Sequence, residues 1–122
     1  MKRTDALLLA ALLAACSSEA PNEPDVQTGG PVHVVAAEGA LRITNIADRR
    51  IAVHVIESES AQLWLPPPQC TTGPICKFIA AGASLELPYA NIEGFRSGSR
   101  QAVVFWWDGP PPQINGGVTI RL

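Results

Sequence analysis

The chain has 122 residues, with nine lysines and arginines against eleven aspartates and glutamates, which gives a net charge of −2. A chain of this length holds one small domain at most. The absence of a basic stripe argues against a nucleic-acid partner. The sequence contains no haem, phosphate-loop or dinucleotide motif, so no cofactor is predicted.

The first fifteen residues are typical of an export signal. Met1-Lys2-Arg3 is a short basic start, and an apolar run extends from Leu7 to Ala15. These nine residues are too few to cross a bilayer core, which takes about 20. A basic flank, a short apolar centre and small residues at its end predict a cleaved signal peptide over residues 1–15.

The end of this apolar run resembles the lipobox of bacterial lipoproteins. It reads Leu13-Ala14-Ala15-Cys16, a leucine and two small residues before a cysteine. The resemblance implies that Cys16 carries several acyl chains, which together hold a protein at a membrane where one chain anchors it only marginally. Two serines follow the cysteine, and the sorting rule of the family then implies the outer membrane of the bacterial cell envelope. An ordinary signal peptide with a chance cysteine, or a buried N-terminal helix, is the alternative.

The composition changes at Pro31. The stretch before it is rich in proline, glycine and acidic residues and holds almost nothing apolar. Such a composition predicts a lipidated cysteine followed by a flexible tether over residues 16–31. The folded domain is then predicted over residues 32–122.

From Val32 onward, apolar and polar residues alternate with a period of two, which is typical of strands. The pattern predicts a hairpin between Leu41–Thr44 and Ile51–Ile56, joined by a polar turn. The other predicted strands are Val32–Ala37, Leu63–Leu65, Cys76–Ile79, Ser84–Leu87, Ala102–Trp107 and Val118–Leu122.

Seven to eight short strands, with turn signals between them and no long helical period, indicate an all-β fold. The most direct arrangement is a small antiparallel β-sandwich. The strand rhythm over residues 32–122 resembles that of the immunoglobulin-like domains of bacterial envelope proteins. The Cys–Trp–Cys spacing of antibody domains is absent, because Cys70 and Cys76 are too close in sequence to bridge two sheets. A small closed barrel is the alternative.

The three cysteines divide into one lipid site and one pair. With Cys16 assigned to lipid, Cys70 and Cys76 are left, and an even remainder in an exported chain predicts a disulfide. A metal site would need His33 and His54 to join these cysteines, but their spacing matches no known ligand pattern. We therefore predict no metal.

No catalytic constellation stands out. The stretch Gly82–Glu86 fails the nucleophile motif of serine hydrolases at its last position. His54 is interpreted as a strand histidine, and Glu57 and Glu59 as a solvated strand end. The chain is therefore predicted not to be an enzyme, with an unrecognised hydrolase as an alternative.

Binding is the function class that the sequence favours, and the most apolar strand supplies the candidate residues. Alternation gives this strand an uncharged side, which we predict faces the core. That side carries Gln101, Val103, Phe105, Trp107 and Gly109. The other side carries Trp106 between Arg100 and Asp108, so Trp106 is predicted to face solvent and contact a ligand. Trp64 is a second aromatic candidate.

The predicted function is that of a non-catalytic envelope lipoprotein, acting as a protein-binding or structural module. Its expected partners are the membrane, through the lipid anchor, and an envelope protein. A glycan- or peptidoglycan-binding module is the first alternative, since exposed tryptophans stack on sugar rings. A small enzyme inhibitor is another, because the proline-rich loop from Pro66 to Cys76 would be rigid if closed by a disulfide.

Overall fold

The computed structural model describes residues 24–63, 76–110 and 113–122, which form two antiparallel sheets of four strands each. Cys16, Trp64 and Cys70 lie outside the described residues, so lipidation and the disulfide stay predictions. The strands are β1 Val26–Gly29, β2 Val32–Ala37, β3 Ala40–Asn45, β4 Ile51–Glu57, β5 Lys77–Ile79, β6 Ser84–Pro88, β7 Gln101–Asp108 and β8 Ile114–Arg121. A short helix α1 (Ser58–Ala61) follows β4, and a 3-10 turn (Tyr89–Asn91) follows β6.

The strand order confirms the predicted all-β sandwich. One sheet runs β1-β2-β3-β6 and the other β5-β4-β7-β8. In immunoglobulin-like terms, β2, β3 and β6 take the places of strands A, B and E, while β5, β4, β7 and β8 take those of C′, C, F and G. The chain therefore changes sheet after β3, after β5 and after β6.

The predicted hairpin between the strands at residues 41–44 and 51–56 is wrong, because β3 and β4 belong to different sheets. Asn45, fully buried at the end of β3, explains the crossing. Its amide nitrogen donates to the carbonyls of Arg49 and Ile79, and its oxygen accepts from the Ala47 backbone N–H. These bonds direct the loop towards the second sheet instead of back along the first. The hairpin partner of β3 is β2, through the tight turn at Glu38-Gly39.

The core lies between the two sheets and follows the predicted alternation of apolar residues. In β6, Leu85 and Leu87 pack against this core while Glu86 is exposed, as expected. Burial of these aliphatic side chains is the main stabilising contribution, at roughly 1.5–3 kcal/mol for each one fully buried. The buried members are Val32, Val34, Ala36, Leu41, Ile43, Ile51, Val53, Val55, Ile79, Ile92, Ala102, Val104 and Ile120.

The sandwich begins before Val32, inside the segment predicted to be tether. Strand β1 pairs with β2 from Val26 to Gly29. Asp25 joins both sheets: its carbonyl accepts from Ala36 N at 2.9 Å, and its carboxylate accepts from Arg121 N at 2.7 Å. The bond from Arg121 holds the pKa of Asp25 below its usual value. Four residues with a single aliphatic side chain were too weak a pattern to predict this strand.

The predicted faces of β7 are reversed. Ala102 and Val104 are buried in the core between the sheets, and Trp106 packs against the same core. Trp107 is buried as predicted, but on the outer side of its sheet, in a second cluster with Ala52 and Cys76. The prediction failed because it used charge to choose the face. Arg100 and Asp108 lie at the two ends of β7, where charges reach solvent or a partner without entering the core.

Among the described residues, no helix is both long and apolar enough to span a membrane.

Candidate functional site

A groove of about 340 Å³ opens at one end of the sandwich, beside the exposed part of Trp106. We call it the Trp106 groove. Two connections and two strand ends meet here: the β1–β2 turn, the β3–β4 loop, the end of β7 and the start of β8. Its lining consists of Gly30, Pro31, Ile46, Ala47, Arg49, Trp106, Asp108 and Ile114.

Two glycines allow the indole of Trp106 to occupy the end of the core. Trp106 lies opposite Gly116 of β8, where a Cβ would come within 2.6 Å of the ring. In the facing sheet, a Cβ at Gly30 would come within 3.0 Å of three ring atoms. Backbone therefore approaches the ring from both sheets, and only part of the indole remains open to the groove.

An ion pair forms the polar wall of the groove. Arg49 binds the Asp108 carboxylate with two parallel bonds, Nε to Oδ1 at 2.6 Å and Nη2 to Oδ2 at 2.5 Å. Such a bidentate pair fixes the geometry of both side chains. The bonds and charge of Asp108 raise the pKa of Arg49 above its ordinary value. Asp108 is buried while Arg49 is exposed, so the pair presents a fixed guanidinium at the surface.

Two exposed apolar side chains, Ile46 and Ile114, also line the groove. Ile46 is 55% exposed and Ile114 is 68% exposed, although both are large aliphatic residues. Ile46 lies in the β3–β4 loop and Ile114 is the first residue of β8, and both line the groove beside Trp106. Single exposed isoleucines are common, but two beside a partly exposed tryptophan form a patch of the kind found at binding surfaces.

The structure divides the predicted ligand-binding residues into two places. Trp106 and Asp108 both line the Trp106 groove. Arg100 lies at the other end of β7 and lines a different groove of about 470 Å³. The four candidates therefore do not form one site, and Trp64 lies outside the described residues.

The groove at Arg100 is polar and its charges largely offset each other. Arg96, Arg100 and Arg121 line it together with Glu57 and Glu59. Arg96 forms an ion pair with Glu59, and Glu57 accepts from the backbone N–H groups of Glu59 and Ser60 at the start of α1. Those two bonds hold the pKa of Glu57 below its usual value. Glu57 is therefore a buried helix cap, which corrects its interpretation as part of a solvated strand end.

A third groove of about 260 Å³ contains a histidine–carboxylate pair of the kind that a hydrolase uses. His54 Nε2 lies 3.0 Å from Glu93 Oε2, which is the base-and-orienter half of a catalytic triad. The described lining is Val53, His54, Val55, Lys77, Leu85, Leu87, Asn91 and Glu93, and it holds no hydroxyl or thiol nucleophile. Nor does the described part of the chain contain three His, Cys, Asp or Glu side chains placed to hold a metal.

Sequence reasoning missed Ile46, Arg49 and Ile114, which complete the Trp106 groove. The first two lie in a segment that was predicted only as a polar turn, and Ile114 precedes the predicted last strand. An isoleucine inside a polar turn was the one available signal.

Comparison of the chain with protein-family models, with curated proteins and with solved structures finds no match.

Proposed function

We propose that this protein is a non-catalytic lipoprotein of the bacterial cell envelope, whose sandwich domain binds another protein through the Trp106 groove. The observation that carries the proposal is the exposed pair Ile46 and Ile114 around Trp106, bordered by the Arg49–Asp108 ion pair. Exposed apolar side chains together with tryptophan and arginine are characteristic of protein interfaces.

The shape of the groove favours a protein partner over a glycan. Sugar recognition by stacking uses an open aromatic face, whereas Gly30 and Gly116 lie against the Trp106 ring. The exposed area is instead mostly aliphatic. The inhibitor alternative depends on the loop from Pro66 to Cys76, most of which lies outside the described residues. A protein-binding module is thus the function that the described residues support best.

The proposed attachment of the protein to a membrane depends on Cys16. If Cys16 is lipidated, the Cys16→Ala variant should accumulate as uncut precursor and lose palmitate label, because the thiol that receives the lipid is gone. Radiolabelling and membrane fractionation measure both effects. A Cys70→Ala variant, which also removes one thiol, should label as strongly as wild type. Equal labelling of Cys16→Ala and wild type would remove the lipid anchor from the proposal.

The binding surface can be tested by site-specific photo-crosslinking in intact envelopes. A crosslinking side chain at Ile114 should yield one dominant adduct with another protein. A crosslinker at Val26, which is half exposed but lies towards the Asp25 end of the sandwich, should not. Adding Ile46→Ser to the Ile114 probe should reduce the adduct severalfold, because it removes the other exposed isoleucine of the groove.

The outcome that contradicts the proposal is equal crosslinking from Ile114 and Val26. Co-sedimentation of the protein with purified peptidoglycan tests whether the groove binds glycan. Co-sedimentation that is lost in an Ile46→Ser variant would assign the same groove to glycan instead of protein.

A further inference from the structure

Trp106, which lines the groove named after it, retains an accessible hydrogen-bond donor. Its Nε1 atom has no hydrogen-bond partner among the described residues. The residue is half-buried, yet within the described ranges the only buried and unpaired side-chain N or O atom of a residue that is not exposed is Ser58 Oγ. Trp106 Nε1 therefore reaches solvent, and its N–H is free to donate to a bound ligand.

Arg49 supplies a second donor. Its guanidinium donates to both oxygens of Asp108 and to Asp48 Oδ1. A guanidinium carries more N–H groups than these bonds use. The Arg49 side chain is 57% exposed, so the remaining N–H groups can donate to a ligand in the groove.

The described lining offers no free side-chain acceptor in return. Asp108 is the one lining side chain with acceptor atoms, and both of its oxygens already accept from Arg49. Its side chain is also buried. The remaining lining side chains are apolar, apart from the donors on Arg49 and Trp106. A ligand N–H buried against these side chains would stay unpaired, which costs free energy.

The charges around Arg49 favour a neutral acceptor over a carboxylate. Asp108 and Asp48 both bind the guanidinium, and Asp48 is almost fully exposed beside it. A carboxylate arriving at Arg49 would meet these two like charges, which opposes binding. A peptide carbonyl accepts the same N–H groups without carrying a net charge.

We propose that the Trp106 groove binds a proline-rich, extended segment of its protein partner; this inference rests on the proposed function and names the ligand of that same site. A proline residue presents a carbonyl acceptor and has no backbone N–H, so it supplies what Arg49 and Trp106 can bind and leaves no donor unpaired. Proline-rich segments are already extended before they bind, and they dock in grooves that contain aromatic side chains. Apolar residues between the prolines would contact Ile46 and Ile114, which are both exposed.

Nuclear magnetic resonance of the full-length, ¹⁵N-labelled chain in detergent solution tests this ligand class. The probe is a capped peptide of three Pro-Pro-Leu repeats, whose leucines fall on one side of an extended helix with about three residues per turn. The indole N–H signal of Trp106 should shift as the peptide is added, and the titration gives the dissociation constant. The indole signal of Trp107, which is buried on the outer side of its sheet, should stay in place.

A peptide of three Ala-Ala-Leu repeats is the matched control, because it keeps the leucines and restores the backbone N–H groups. It should bind at least about tenfold more weakly, since N–H groups buried in the groove lack acceptors. Equal affinity for the two peptides, or no shift of the Trp106 signal with the proline peptide, would overturn the proposal.

A Trp106→Phe variant tests the donor itself, because it keeps an aromatic ring and removes the N–H. Its affinity for the proline peptide should fall about fivefold. Val26→Ser, a substitution of a half-exposed residue in β1 towards the Asp25 end of the sandwich, should leave the affinity within about twofold. Unchanged affinity in Trp106→Phe would contradict the role of the indole N–H. If Trp106→Phe fails to fold, the comparison of the two peptides on the wild type still decides.

The ligand class and the proposed function can fail separately. Mass spectrometry of the adduct captured by the Ile114 crosslinker in intact envelopes identifies the partner segment that lies in the groove, and this segment should contain several prolines. A single dominant adduct whose crosslinked segment contains no proline would leave the protein-binding function standing and would overturn this inference.

Discussion

Replacing Trp107 with alanine is expected to destabilise the domain by about 3–5 kcal/mol. Trp107 is only 1% exposed, and it packs against Ala52, Cys76 and the ring of Phe105, with centroids 6.4 Å apart. Removing the indole leaves a cavity on the outer side of the sheet that these neighbours fill only in part. A domain of this size has a total stability of about 5–15 kcal/mol, so the variant should be partly unfolded near physiological temperature.

The free energy of unfolding, measured by urea denaturation, checks this expectation. Phe78→Ala is the matched control, because Phe78 lies on β5, two strands away, and pairs with the same Ala52 that pairs with Trp107. Phe78 is 41% exposed, with Arg50 stacked 4.6 Å from its ring centroid. That variant should lose only about 1 kcal/mol. If Trp107→Ala is no more destabilising than the control, the outer cluster around Trp107 contributes little to stability.

Strand positions were predictable because the alternation of apolar residues is local information. The patterns at Val32–Ala37 and Ser84–Leu87 coincide with observed strands almost residue for residue. The antiparallel sandwich arrangement followed from these signals, since short strands with tight turns allow few other arrangements. The strand count did not, because β1 was not predicted and most of the predicted strand Leu63–Leu65 lies outside the described residues.

Sheet membership and face assignment could not be predicted in the same way. Whether β4 pairs with β3 depends on Asn45, whose partners Arg49 and Ile79 are known only once the chain has folded. The faces of β7 failed for a related reason: Asp108 is tolerated next to the core because Arg49, distant in sequence, neutralises it. The ion pair between Arg49 and Asp108 thus explains why a face assignment for β7 that used charge alone was wrong.

The candidate site likewise combines residues that could be predicted from the sequence with residues that could not. Trp106 and Asp108 could be selected from the sequence because they close an apolar strand. Ile46 and Ile114 could not, because neither belongs to a predicted strand, and their exposure depends on how two loops meet at one end of the sandwich.

Gly30→Ala is expected to destabilise the domain by about 2–5 kcal/mol, through two separable effects. Gly30 has a φ of 51°, where a side chain costs about 1–2 kcal/mol. Its new Cβ would also lie within 3.0 Å of three ring atoms of Trp106. The indole cannot easily move away, because Gly116 approaches it from its own sheet. Overpacking of this kind typically costs a further 1–3 kcal/mol.

Gly39→Ala separates these two effects. Gly39 lies in the two-residue turn between β2 and β3, as Gly30 does between β1 and β2, and its φ is 81°. A Cβ there has nothing within 4 Å, so this variant should lose only the conformational part, about 1–2 kcal/mol. The difference between the two variants in the free energy of unfolding, measured by urea denaturation, then gives the contribution of the contact with Trp106.

In a Trp106→Leu background the contact is gone, so Gly30→Ala should lower the free energy of unfolding no more than Gly39→Ala does. An unchanged cost in that background would show that the ring of Trp106 does not pack against Gly30, and that the groove is built differently at its centre.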